Sequence, residues 1–349
     1  MSQEGRSRRR SRFGDRRGLD AWNTLVTFFN LMDAAVARAL EPANLSNAEL
    51  LVLICLAHAG GALSMGAIGR SSFLEAGRLR RVVVKLEKRR LVAWRRSRAD
   101  RRKVSVRIEK AGRQLTESLS PVMFDLIRRV TDPLGEESTE FMRAKMRKIL
   151  SSAVVDLEGV FTDHRYDGLG HPAPPQDVGS EPEVHSGQRP PTWGLAGWLR
   201  CCQWSGHADR IWKSKFRNLG LTVPRLQVLA VLSGAAEGMT VDATASATGL
   251  PQVTLTSSLS ALQRAGLVTR SGDEAQPRAR LFKLTKRGEQ TVLEALPMAN
   301  SLAEDLYQGL SDEDLEQVLS LVRKACGAAW QVRYHYDATQ PLTSATSAQ

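Results

Sequence analysis

At 349 residues the chain is long enough for two ordinary domains, and 42% hydrophobic residues supply packed cores for both. Aromatics at 6% with 25% charged residues suit a mostly helical fold, and no apolar run approaches the roughly 20 residues of a membrane span. The net charge of +12 is unevenly carried: residues 1–165 hold 32 basic and 19 acidic side chains, giving +13, whereas residues 166–349 hold 17 and 18, giving −1. Such asymmetry points the first half at a polyanion.

Residues 1–18 are arginine-rich, without the apolar stretch of a secretory signal, and read as a disordered basic arm that can lie along phosphates or in a minor groove. With no export signal, Cys55, Cys201, Cys202 and Cys326 are expected as reduced cytoplasmic thiols, and their spacing does not suit a metal. A first helix is predicted from Leu19 to Leu40, with Trp22, Leu25, Val26, Phe29, Asp33 and Val36 on one mostly apolar stripe. Ser46 and Glu49 form a capping box for a second helix that Gly60-Gly61 ends. Ser64 caps a short helix through Ile68, and a turn at Ser71-Ser72 leads onward.

The stretch from Leu74 to Gly112 organises the rest. Leu79, Val82, Val83 and Leu86 recur at three- and four-residue spacing, so one helix face is apolar; Arg78, Arg80, Arg81, Lys85, Lys88, Arg89 and Arg90 crowd the remaining surface. Beyond Leu91-Val92, Val104, Val106 and Ile108 alternate with polar residues as a half-buried strand, after a polar turn from Arg95 to Arg102. A helix followed by a charged ribbon is a winged helix-turn-helix, whose helix can enter a major groove. Arg78, Arg80, Arg81 and Lys85 are assigned to DNA, with Arg101 and Arg102 on the wing; Asp100 positions a guanidinium such as Arg96 or Arg98. A long helix from Leu115 to Val130 with a kink at Pro121, and a last helix from Glu136 to Val160, complete the half.

The plan then repeats. Shifting by 176 positions (267 minus 91) aligns the second half without a gap: Trp22 with Trp198, Leu79 with Leu255, Leu86 with Leu262, Leu91-Val92 with Leu267-Val268, Gly112 with Gly288. The period exceeds that of solenoid units, so this is a duplicated domain. The expected division is arm 1–18, first domain 19–165, a Pro/Gly/Ser-rich linker 166–192, second domain 193–336 and a loose tail 337–349. Within the second domain helices are predicted at 195–217, 223–234, 240–248, 251–265, 285–308 and 312–331, with a wing at 268–284. Its recognition helix carries Gln252, Thr254, Thr256 and Ser257 instead of arginines, and its wing keeps Arg278 and Arg280 but has Gln276-Pro277 where the first has Asp100-Arg101. These polar side chains can hydrogen-bond base edges or phosphates.

Leu86-Glu87-Lys88-Arg89-Arg90-Leu91-Val92, Asp100-Arg101-Arg102 and Glu109-Lys110-Ala111-Gly112, with Leu262–Val268 and Leu284–Gly288 in the second half, resemble the MarR family of bacterial regulators. The family pattern is a helix ending LEKRGLV, a DRR wing and a T-x-x-G helix start. The resemblance implies a mainly α fold with small β wings: two tandem winged helix-turn-helix domains sharing a helical dimerisation-like base, fused as a single-chain pseudodimer. It implies a repressor acting on double-stranded DNA, with recognition helices about one turn, roughly 34 Å, apart. The unequal charge predicts an asymmetric operator. The resemblance also allows a small aromatic effector near Trp198, Trp204, Trp212 and Phe216, which otherwise read as core, and redox sensing at Cys201-Cys202. No cofactor or metal is called for, since the six histidines show no paired ligand spacing. No phosphate loop or hydrolase motif is present, which argues against an enzyme. A tandem winged-helix adaptor that binds protein remains the alternative.

Overall fold

The computed structural model describes residues 16–59, 62–72, 74–96, 104–142, 144–145, 202, 205–206, 212, 215–271, 281–307 and 309–335. The chain divides into two compact units, each drawing on both halves of the sequence. One combines Met32–Gly135 with Ala153–His207 and Gly327–Gln349; the other combines Met1–Leu31, Glu136–Ser152 and Ala208–Cys326.

In the unit built mainly on the first half, α2 (Asn47–His58) starts at a complete capping box: the Ser46 hydroxyl accepts from the Glu49 amide, and the Glu49 carboxylate accepts from Ser46 N. Ser64 Oγ accepts from Ala67 N at 3.1 Å and starts α3 (Met65–Ser72), so Ser71 and Ser72 are helical where a turn was expected. The Ser72 hydroxyl, buried, donates to Ile68 O at 2.6 Å and completes that last turn. α4 (Ala76–Lys88) follows, then β2 (Val92–Arg96), β3 (Val104–Ile108) and α5 (Lys110–Thr131), which continues through Pro121. A two-residue β1 (Leu63–Ser64), which no sequence pattern indicated, pairs Leu63 with Val106, giving the antiparallel order β1-β3-β2. α2 packs on α3, α4, α5 and β3 at the centre. Gly112 is required at the start of α5: a Cβ there would run into the Leu91 carbonyl.

The other unit contains α6 (Val223–Leu232), α7 (Val241–Thr248), α8 (Gln252–Arg264), β4 (Val268–Ser271), β5 (Leu281–Leu284) and α9 (Lys286–Tyr307). α6 packs on α7, α8, α9 and β5. Met239 bridges Phe282, each 176 positions beyond the Leu63–Val106 pair. Gly288 meets the Leu267 carbonyl as Gly112 meets that of Leu91. Thr285 caps α9, its hydroxyl accepting from Gly288 N at 3.0 Å and donating to Gly266 O at 2.7 Å.

Two helices supply residues to both units: α1 (Arg17–Ala39) and α10 (Asp312–His335). The helix begins at Arg17, so Arg17 and Gly18 belong to α1 and not to a disordered arm. α10 runs four residues past its expected end. Residues 136–142 and 144–145 are helical; the predicted last helix beyond residue 145, Gly60-Gly61, the linker and the tail lie outside the described residues. No helix among the described residues is long and apolar enough to cross a membrane.

Candidate nucleic-acid interface

α4 separates its two faces cleanly. Leu79, Val82, Val83 and Leu86 are buried, as their spacing requires. Arg78, Arg80, Arg81, Lys85 and Lys88 are exposed, and Arg80, Arg81, Val84, Lys85 and Lys88 line an open concavity of about 320 Å³. Arg81 Nε donates weakly to Gly77 O, 3.4 Å away on its own helix. A surface of exposed guanidinium and ammonium groups on one helix can neutralise phosphates, and an arginine can span the O6 and N7 acceptors of guanine.

Lys85 differs from its neighbours. Its ammonium lies 3.2 Å from Oε2 of Glu49, a carboxylate buried to 1% exposure. Oε2 also accepts from Ser46 N at 2.8 Å and Ser46 Oγ at 2.6 Å. Burial opposes ionisation of Glu49, but the Ser46 and Lys85 donors outweigh it and hold the carboxyl below its usual range. Lys85 thus ties α4 to the start of α2, while its side chain remains 57% exposed. Arg89 is likewise occupied, donating to Asn44 O at 2.7 Å and Ala43 O at 2.9 Å. Arg90, with φ of +58°, holds the left-handed turn out of α4 where the second half has Gly266.

Of the wing, β2 and β3 are described and pair Arg96 with Val104. Arg95 is exposed on β2, and Arg107 is paired with Glu109 at 3.0 Å. Asp100, Arg101 and Arg102, together with Arg278 and Arg280, lie outside the described residues.

On α8, Gln252, Thr256 and Ser257 are exposed and Thr254 half-buried. The hydroxyls of Thr256 and Ser257 are turned to the helix: Thr256 Oγ1 donates to Gln252 O at 2.9 Å, and Ser257 Oγ donates to Thr254 O at 2.9 Å. The sequence places these side chains against base edges or phosphates; the Thr256 and Ser257 hydroxyls give their protons to the helix backbone and keep an oxygen that can still accept. Val253 was not singled out from sequence, and it is 81% exposed.

In the same unit, residues 16–31 make contacts that periodicity could not indicate. Arg16 donates to Ser233 Oγ at 2.8 Å and Ala230 O at 2.6 Å, and Arg17 to Glu316 at 2.7 Å. These arginines are therefore anchors. Gly18 N donates to the buried Asn300 Oδ1. Trp22 stacks on Trp212, which stacks on Phe216, with centroids 4.1 and 3.7 Å apart. All three are buried, so Trp212 and Phe216 are core. Gln227, with no exposed surface, donates to Thr27 Oγ1 at 3.1 Å and Thr248 O at 2.9 Å and accepts from Asn30 Nδ2 at 3.1 Å. The available signal was a glutamine at a core position, since 176 residues earlier stands Leu51.

Burial pushes the thiols of Cys55 and Cys326 up to about 12, so neither supplies a thiolate at neutral pH. Cys202 is half-buried; Cys201 and the side chains of Trp198 and Trp204 lie outside the described residues. Among the described residues no cluster of three or more His, Cys, Asp or Glu side chains could hold a metal ion.

Residues 43–103, spanning the capping box, α2 to α4 and β2, match the MarR family. The chain is 36% identical over 77 residues to the transcriptional regulator HosA of Escherichia coli O111:H-, a match covering 22% of this chain and 57% of that protein. The chain therefore spans little more than half the length of that curated relative. Similar solved structures include a MarR-family transcriptional regulator from Silicibacter pomeroyi, at 25% identity and a TM-score of 0.32, covering 36% of this chain and 84% of that one. Another is Bordetella bronchiseptica BpsR, described with the regulation of its DNA binding by 6-hydroxynicotinic acid; it shows 24% identity and a TM-score of 0.34, covering 37% and 96% of the two chains.

Proposed function

We propose that this chain is a DNA-binding transcriptional regulator of the MarR type, acting as a single-chain pseudodimer on an asymmetric operator. The observation that carries the reading is α4: an exposed face of Arg78, Arg80, Arg81 and Lys88 over a buried apolar stripe, inside the stretch that matches the MarR family. Arg80 and Arg81 contact DNA most directly; Lys85 acts through Glu49 as well as by charge. Pseudodimeric pairing is supported by the 176-residue register and by α1, whose residues 16–31 belong to the same unit as Ala208–Cys326. Arg101, Arg102, Arg278 and Arg280 serve the two wings in this reading, with Asp100 positioning the first. Repression follows from occupying a promoter, and a small aromatic effector relieves it.

The test is retention of duplex DNA by the full chain at rising salt. Arg80→Ala and Arg81→Ala each weaken binding and reduce the salt slope by about one, the loss of one phosphate contact. Unchanged slopes remove both residues from the interface. A footprint equally protected over a perfect palindrome contradicts the asymmetric operator. The adaptor reading draws on the uncharged exposed positions of α8; it predicts salt-sensitive retention with no sequence preference.

A further inference from the structure

Resting on the DNA reading above, one feature of α8 says what its half of the operator contains. The first nine residues of α8 expose Gln252, Val253, Thr256, Ser257 and Ser260, none of them charged. Val253, at 81%, is the most exposed large apolar side chain among the described residues. No packing contact among the described residues accounts for it. Valine is a poorer helix former than alanine or arginine, and a valine in water contributes no packing. The position 176 residues earlier is Gly77, with open space around it, so α4 and α8 differ here in kind.

The chemistry next to Val253 agrees. The Thr256 hydroxyl proton is shared between the carbonyls of Gln252 (2.9 Å) and Val253 (3.1 Å), so towards a base edge that side chain offers its methyl and an acceptor oxygen but no donor. Gln252 precedes Val253, and its amide has no partner among the described residues. In a major groove the one apolar feature on a base edge is the C5-methyl of thymine, and a glutamine amide matches the N6 and N7 of adenine. We propose that Val253 is a specificity-determining residue that reads a thymine methyl. The α8 half-site is then an A·T step recognised by apolar contact, while α4 engages its half-site through guanidinium groups.

The experiment uses the full chain and a randomised duplex library. After selection, each thymine of the enriched duplex is replaced singly by deoxyuridine, which lacks only the methyl. At one position the wild-type chain weakens roughly fourfold, the equivalent of one methyl group withdrawn from apolar contact. Val253→Ala, harmless to folding at so exposed a site and checked by circular dichroism, binds the thymine duplex roughly fourfold more weakly and does not distinguish it from the uracil duplex. Enrichment in which no thymine shows a Val253-dependent methyl effect overturns this inference and leaves the DNA reading standing. Absence of any enriched sequence overturns the sequence-specific reading itself, and this inference with it.

Discussion

Glu49→Ala tests how the basic helix is held. Glu49 is buried, and its Oε2 accepts from Ser46 N, Ser46 Oγ and Lys85 Nζ. Loss of the capping box costs about 1 kcal/mol. Loss of a buried charge-assisted hydrogen bond adds about 1.5 kcal/mol, so the expected destabilisation is roughly 2–3 kcal/mol. Lys85 contributes only part of this, because its side chain is 57% exposed and solvent screens the pair. A double-mutant cycle with Lys85→Met should therefore give a coupling of about 0.5–1 kcal/mol. Urea unfolding of the full chain, followed by circular dichroism, supplies the free energies. The pH dependence has a definite sign. The Glu49 carboxyl is held below its usual range, so its stabilisation is present above the unfolded carboxylate pKa of about 4.3 and is lost as pH falls through the lower folded value. Glu49→Gln should flatten that acid limb. A zero coupling together with an unaltered acid limb would refute the tether, and Lys85 would then be free for DNA alone.

Arg90→Gly should stabilise the chain by about 1 kcal/mol, because φ of +58° strains a side chain there and Gly266 holds the corresponding turn at φ of +69°; a lowered urea midpoint would contradict this. Gln227→Ala should destabilise by about 2 kcal/mol through lost hydrogen bonds and a cavity. If Thr27→Ala costs as much in the Gln227→Ala background as in wild type, the two residues are not coupled and the network is not cooperative. Gly112→Ala and Gly288→Ala should each destabilise by more than about 2 kcal/mol, since both Cβ atoms meet a backbone carbonyl that cannot move freely. A tolerated alanine at either site would show that the helix after the wing can shift.

The elements were largely legible because their causes are local. Ser46 and Glu49 lie three residues apart, and the buried stripe of α4 repeats within one turn of helix, so spacing alone predicted the capping box and the face that Leu79, Val82, Val83 and Leu86 bury. The same holds for the strand alternation at Val104 to Ile108. The partners of individual charged and polar groups were not legible. Glu49 finds Lys85 thirty-six residues away, Arg16 finds Ala230, and Gln227 finds Thr27 and Asn30. Serine and threonine hydroxyls on α8 turned to their own helix, a choice that one rotamer makes and no sequence period records. Hydrophobic periodicity states only that a face must be covered; which segment covers it, and therefore which arginines anchor the fold and which remain exposed to solvent, is settled by packing between segments distant in the chain.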